Sequence, residues 1–421
     1  MPGFAWQTLA LVVVTQTSFY YNDLYNMQVV RGYSQLLIRV GRALGVSCLL
    51  LGLLYYLVPA LSIGRSVFLL SMGAAGVLVV VSRVCLDAAW RASGFAQRVL
   101  ILGDGDLAQA VARELRNRDD LSIETMGLIP ARGTTNGRDG NVWGLKVLGS
   151  TEDLQRIVEE HKISRIVVAI EDRRGRLEIR PLVKLKAEGV QVEEAQTVLS
   201  RLTGRVWLEG ARPSWFVFSD GFKRSALTAL AKRVMDLCLA VGGIILGMPI
   251  AVLVALAIKL DSPGPVLYRQ RRVGYKGKPF EVLKFRSMVT DAEADGEAKW
   301  AQQDDPRVTR VGHYLRKFRV DELPQFVNVL LGEMSFVGPR PERPEFVDQL
   351  RQKIPFYDER HSLRPGITGW AQVQYHYGAT IEDAVRKLEY DLFYLKSMSL
   401  LFDAVIVLKT VRIVLLGHGA R

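Results

Sequence analysis

Between Lys232 and Pro265 the chain reads KRVMDLCLAVGGIILGMPIAVLVALAIKLDSPGP, an apolar run long enough to cross a bilayer. A spanning helix normally carries its Lys and Arg on one side of the membrane. Here Lys232 and Arg233 stand before the run, and Lys259, then Arg269, Arg271 and Arg272, stand after it. Pro249 sits at its centre, where it removes the helix hydrogen bond to Ile245 and forces a kink. Together these features predict a re-entrant helix over 234–258 that enters the membrane and returns to the cytoplasmic face. The alternative is an ordinary kinked span, which would put the basic C-terminal part of the chain outside the cell.

Two other stretches, 44–61 (LGVSCLLLGLLYYLVPAL) and 66–86 (SVFLLSMGAAGVLVVVSRVCL), approach the roughly 20 apolar residues of a membrane helix. FAWQTLALVVVTQTSFYY, near the start, is a shorter and more polar third candidate, so 1–90 is expected to be a transmembrane region. Arg31, Arg39 and Arg42 precede the pair, Arg91 and Arg98 follow it, and only Arg65 lies between. Positive charge on the inside therefore places 21–43 and everything after 86 in the cytoplasm. The first segment would then enter from outside, as it would if a further helix preceded it. Cys48, Cys85 and Cys238 all lie in apolar runs, which implies neither a disulfide framework nor a zinc site. A formal charge of +12 calls for anionic partners: nucleic acid, acidic lipid or phosphorylated small molecules.

From Gln97 the text changes to QRVLILGDGDLAQAVARELRNRDD, an apolar strand, a glycine turn and a helical pattern. Strand signals at SIETMGLI, SRIVVAI and VQVEEA alternate with helical EDLQRIVEEHK and PLVKLKAEG, which predicts a Rossmann-like parallel α/β domain over 97–200. Gly103, Gly105 and Ala108 fit G-x-G-x-x-A, yet Asp104 and Asp106 aim acids at the place a pyrophosphate would occupy. The domain is therefore expected to be degenerate, and structural or regulatory. Residues 201–231 read as an irregular linker to a C-terminal domain over 232–421.

That last domain concentrates the chemistry. DSPGPVLYRQRRVGYKGKPFEVLKFRSM carries a cluster of bases and a strand with Lys284 and Arg286, which suits phosphates but equally a solvated face or anionic lipid. In FRVDELPQFVNVLLGEMSFVGPRP, Asp321 is expected at or near the N-cap of the helix through QFVNVLL, because Pro324 is tolerated in a first helical turn. The helix N-terminus, with Arg316, Lys317 and Arg319, would favour the ionised carboxylate and make it a nucleophile or metal ligand. Read alone, the dipeptide is better taken as a simple helix cap.

Residues 232–417 resemble the bacterial sugar transferase family, the membrane-associated phosphoglycosyl transferases. The resemblance rests on KRVMD, the Pro-containing apolar helix, SPGPVLYRQRRVG, LKFRSM, RVDELPQFVNVLLGEMSFVGPRPERPEFV, LRPGITGWAQV and EYDLFYLKSMSLLFDAVIVLKT. The order of membrane helices, α/β domain and this catalytic part is similar to the larger, multi-spanning members. Those members usually have four N-terminal helices, and this sequence shows at most three.

The resemblance implies a fold of N-terminal transmembrane helices, a central Rossmann-like domain and a C-terminal α/β phosphoglycosyl transferase domain. It implies transfer of a sugar phosphate from a nucleoside (by family habit uridine) diphosphate sugar to a polyprenyl phosphate, with Asp321 as nucleophile and Glu322 handling metal or protons. Mg2+, held by Asp321 and Glu322, is the implied cofactor. Arg340 matches a phosphate-contacting position, held between two prolines. Lys284, Arg286, Arg316 and Arg364 are further phosphate candidates, and Asp391 and Asp403 match family acids of supporting role. The implied partners are the nucleotide sugar, the polyprenyl phosphate and the membrane, with no nucleic acid; a homo-oligomer is compatible. The expected location is the bacterial inner membrane with the catalytic domain on the cytoplasmic face. SLLFDAVIVLKTVRIVLLGHGAR, its apolar run broken by Asp403, Lys409 and Arg412, reads as an interfacial amphipathic helix. Two other classes carry marks of their own. Nucleotide-sugar dehydratases and epimerases use a Tyr with a Lys four residues later, and none of the 14 tyrosines has one. A non-enzymatic scaffold of polysaccharide assembly would require the acids to be dispensable.

Overall fold

The computed structural model describes residues 2–22, 24, 33–92, 97–117, 123–131, 140–171, 177–208, 225–290, 292, 305–375, 378 and 380–416. Arg31, one of the bases used for orientation, and 209–224 of the expected linker lie outside them. The chain divides into two compact units, 1–198 and 199–421.

The first unit opens with α1 (Pro2–Tyr21), α2 (Tyr33–Leu57) and α3 (Arg65–Ala92). Phe19, Leu36, Val40 and Ala43 bury against one another, and Ser18 Oγ donates to Ala43 O at 2.6 Å, which spares a buried hydroxyl the cost of an unmade bond. Residues 36–57 and 65–86 are long and apolar enough to cross a membrane. Pro59, without an N–H, ends α2 and opens a short 3-10 turn where the sequence suggested continued helix to 61.

The α/β part follows the expected alternation. Strands β1 (Gln97–Leu102), β2 (Ile123–Ile129), β5 (Arg165–Val168) and β6 (Gln191–Glu194) form a parallel sheet in the order β2-β1-β5-β6. The helices α4 (Asp106–Arg116), α5 (Leu154–Glu160), α6 (Ile179–Ala187) and α7 (Ala195–Thr203) punctuate it, with a small β3–β4 hairpin (Asn141–Val142, Leu145–Lys146) between β2 and α5. Leu100, Leu102, Ile129, Ile166 and Val168 are buried, as a sheet covered on both faces requires. Gly103 has φ 135°, and a Cβ there would lie 2.6 Å from Ala169 O, so the glycine turn is a close backbone approach. Beside it Asp104 is buried and accepts from Ala131 N.

The second unit is built around α8 (Ala226–Asp261), a 36-residue helix containing Pro249. Next come the antiparallel hairpin β7 (Leu267–Val273) and β8 (Pro279–Phe285), then α9 (Arg310–Lys317), α10 (Gln325–Leu331) and β9 (Ser335–Val337). After α11 (Pro344–Lys353), β10 (Gly366–Thr368) pairs parallel with β9, and α12 (Trp370–Gln374), α13 (Ile381–Ser397) and α14 (Leu400–Leu416) close the unit. A Cβ on Gly338 would lie 2.4 Å from Arg364 O, so only glycine lets the chain leave β9 this close to the β10 approach.

Two small cores seat α8 on this unit. Ala240 packs with Val282, Val329 and Met334, and Val254 and Ile258 pack with Phe285 and Leu315. The side chains of Val241, Ile245, Leu246, Leu253 and Leu256 remain exposed. The start of the expected linker is instead core: Val206 and Leu208 are buried with Trp370, Leu388 and Leu392, and Val206 N donates to Glu389 O. The helix expected from 232 begins at Ala226, capped by Ser225 Oγ on Thr228 N.

Candidate active site

The acidic pair sits between two helices, in a backbone arrangement that local sequence rules do not anticipate. Helix α9 stops at Lys317, and Arg319 takes a left-handed conformation (φ 54°, ψ 24°) that turns the chain into a 3-10 turn over Val320–Glu322. Pro324 then caps α10. Asp321 is therefore not the helix N-cap. It lies one turn earlier, on a segment whose direction is set by Arg319.

Asp321 and Glu322 are each only 8% exposed. Glu322 Oε1 accepts from Arg340 Nη2 at 2.9 Å and lies 3.8 Å from Lys284 Nζ. No hydrogen bond reaches the Asp321 carboxylate among the described residues. The two acids are consequently split in character. Burial, then the adjacent Glu322 charge, pushes the Asp321 carboxyl up to about 6, against the pull of Lys284, Arg340 and Arg316. Burial alone would also raise Glu322, but Arg340 and Lys284 outweigh it and hold Glu322 down to about 2. The sequence-based expectation that the helix end and nearby bases would favour ionised Asp321 is thus reversed in sign, because desolvation exceeds them. Lys284 is itself lowered by burial, with Glu322 opposing.

The remaining predicted residues fall into two groups. Lys284, Arg340 and Arg316 surround the pair. Arg286 does not: it is buried, and its guanidinium donates to Ser262 O and Pro263 O, both at 2.7 Å, which clamps the turn after α8. Arg364 is exposed, with its guanidinium 5.9 Å from the Tyr275 ring centroid. Asp391 pairs with Arg360 at 2.9 Å, and fully buried Asp403 pairs with Lys232 at 2.7 Å. Both acids are partners of cations, Arg360 buried and Lys232 half-buried. Sequence reasoning missed Arg360 altogether and took Lys232 only as a flanking charge; no local pattern links either to an acid so distant along the chain.

An apolar groove opens beside the pair, lined by Arg319, Glu322, Leu323, Phe326, Phe336 and Val414 among others. Among the described residues no group of three or more His, Cys, Asp or Glu side chains could hold a metal ion. The adjacent carboxylates do fit a divalent cation of the hard, oxygen-binding kind that takes one or two protein carboxylates and completes its shell with substrate phosphates and water. The Asp321 oxygens, without a hydrogen bond among the described residues, are the natural protein donors, and Glu322 is already engaged by Arg340.

Comparison with known proteins covers most of this architecture. Residues 227–417 match the bacterial sugar transferase family, and 21–193 match a CoA-binding domain family. The chain is 35% identical to the UDP-glucose:undecaprenyl-phosphate glucose-1-phosphate transferase of Escherichia coli (strain K12), over 80% of this chain and 72% of that protein. It is 46% identical to the UDP-N-acetylgalactosamine-undecaprenyl-phosphate N-acetylgalactosaminephosphotransferase of Aeromonas hydrophila, over 58% and 56%. It is 32% identical to the undecaprenyl-phosphate glucose phosphotransferase of Komagataeibacter xylinus, over 75% and 59%. The matches thus span little more than half the length of the last two relatives.

Proposed function

Because the chain belongs to the bacterial sugar transferase family, we propose that it transfers a sugar 1-phosphate from a uridine diphosphate sugar to undecaprenyl phosphate, with release of the nucleoside monophosphate. This is the first step of exopolysaccharide or related glycan assembly. The observation that carries the assignment to particular residues is the buried Asp321–Glu322 pair enclosed by Lys284, Arg340 and Arg316.

An Asp321 carboxylate oxygen attacks the β-phosphorus, and the bond from that phosphorus to the bridging oxygen breaks. The nucleoside monophosphate leaves with the bonding pair, and the sugar phosphate remains as an acyl phosphate on Asp321. An oxygen of the polyprenyl phosphate then attacks the same phosphorus and frees the carboxylate. Arg340 and Lys284 hold phosphate oxygens through charge-assisted bonds. Arg340 must exchange Glu322 for phosphate as substrate enters. Mg2+, held by Asp321 with support from Glu322, would neutralise diphosphate charge when bound.

The groove from Glu322 past Phe326 and Phe336 suits the first apolar units of a prenyl chain whose phosphate meets Asp321. Helix α8, re-entrant and exposing Ile245, Leu246 and Leu253 to lipid, keeps that site at the cytoplasmic face of the inner membrane. The α/β domain plays no part in the chemistry.

The test is Asp321→Asn, which preserves side-chain size and removes the anionic oxygen. Protein should accumulate in membranes while turnover falls by about three orders of magnitude or more. Release of nucleoside monophosphate without lipid acceptor should vanish with it. Mass spectrometry should locate a phosphosugar on Asp321 of the unaltered protein. An adduct elsewhere, or full activity of the Asn variant, would sink the mechanism, and dispensability of both acids would favour a scaffold.

A further inference from the structure

The start of the Gly338–Pro341 turn that carries Arg340 is tied to β10, where Gly338 N donates to Thr368 O and Gly366 N to Pro339 O, both at 2.9 Å. Its last two carbonyls are met by cations instead. Arg360 Nη2 donates to Arg340 O at 3.0 Å and Arg272 Nη1 to Pro341 O at 3.1 Å, and just before the turn Lys232 Nζ donates to Val337 O at 3.1 Å. Of these, Arg360 touches the backbone of the very residue that reaches Glu322.

Arg360 and Asp391 are buried to 6% and 2% exposure, and Arg360 Nη1 also donates to Tyr357 Oη at 2.7 Å. A buried ion pair is an expensive way to gain stability, since an apolar pair of similar volume is often as stable or more so. What a buried guanidinium offers instead is fixed direction: its planar fork can be held by Asp391 and Tyr357 while one N–H is aimed at a single carbonyl. We infer that Arg360, oriented by Asp391 and Tyr357, is a positioning residue for the transfer reaction, fixing the Arg340 backbone so that the Arg340 guanidinium meets the diphosphate. The inference rests on the reading of Arg340 as a phosphate ligand.

A double-mutant cycle tests it in full-length protein reconstituted in lipid nanodiscs, with nucleotide sugar and polyprenyl phosphate as substrates. Arg360→Gln should raise KM for the nucleotide sugar about tenfold, the worth of one charge-assisted hydrogen bond, with a smaller change in kcat. In an Arg340→Gln background the same change should add less than about twofold, because the group it positions is gone. Arg360→Lys, which keeps the charge but cannot serve three acceptors in fixed directions, should fall between Arg360→Gln and the unaltered protein. Equal losses in both backgrounds overturn the inference while leaving Arg340 as a phosphate ligand. Full activity of Arg360→Gln overturns it too. An unchanged KM in Arg340→Gln removes the underlying reading and the positioning role with it. If Arg360→Gln fails to accumulate in membranes, the cycle is run with Arg360→Lys, and coupling to Arg340 decides the same question.

Discussion

At the residue scale the consequence of burial is a pH dependence. Asp321 must be ionised to attack phosphorus, and its carboxyl is raised to about 6 by desolvation and by Glu322. Activity is therefore expected to be present above that value and lost as pH falls through it, giving kcat/KM an acidic limb near pH 6. Glu322→Gln removes the neighbouring negative charge, so that limb should move to lower pH. Rates that stay flat down to pH 4.5 in the unaltered protein, measured as initial rates between pH 4.5 and 8, would mean that the pair is hydrated during turnover. The acidic pair and Arg340 were legible in the sequence because DELP and PRP are contiguous signals. The sign of the Asp321 shift was not, since it is set by burial, which segments distant along the chain create and which outweighs the opposing pull of Lys284 and Arg340. That Asp321 lies near the N-cap, on a 3-10 turn before it, and not at it has a similar origin: the left-handed Arg319 is rare for a non-glycine residue and carries no mark in the text.

At the scale of elements, α8 is held at both ends by one unit. Phe336 N donates to Asp236 Oδ1 at 3.0 Å, and Val311 N donates to Asp261 Oδ2 at 3.1 Å. About 37 Å of straight helix would separate these two anchors, more than the roughly 30 Å hydrocarbon layer. A straight spanning helix could not keep both on one face, whereas a helix that dips and returns can. Pro249 frees the Ile245 carbonyl about midway between the two anchors, which is where the proposed re-entry would require a bend. With the native cysteines replaced, Leu227→Cys and Leu260→Cys, both exposed, should react with a membrane-impermeant maleimide only from the cytoplasmic side. Reaction of the two from opposite sides would reject re-entry. The apolar run, its proline and its flanking bases were readable in advance. That Arg286 serves α8 by clamping Ser262 and Pro263 was not, because a base on a strand looks the same whether its guanidinium faces substrate or its own neighbouring turn.

At the scale of the whole molecule, the separability of the catalytic part depends on where the chain is cut. With 97–200 read as degenerate and 201–231 as an irregular linker, a cut at Ala226, the start of α8, would be expected to spare the catalytic part. The packing opposes that cut. Val206 and Leu208 lie in the same core as Trp370 and Leu392, Trp370 Nε1 donates to Gly204 O at 2.6 Å, and Arg205 pairs with Glu389. Removing two buried aliphatic side chains alone forfeits about 3–6 kcal/mol of burial, a large share of the 5–15 kcal/mol typical of a folded domain. It also strips the buried Glu389 of its Arg205 partner and of the Leu208 N–H that donates to it. A chain beginning at Ala195, which keeps α7 whole, is therefore expected to reach the membrane and retain transferase activity within about threefold of the full protein. One beginning at Ala226 should accumulate poorly and unfold in detergent at a temperature lower by about 10 °C or more. Thermal unfolding and nucleoside monophosphate release, measured on both truncations side by side, separate the two contributions. Equal stability of the two would show that 199–208 is slack after all, and an inactive but stable chain from Ala195 would show that the region before it, α1–α3 or the α/β domain, is needed for activity.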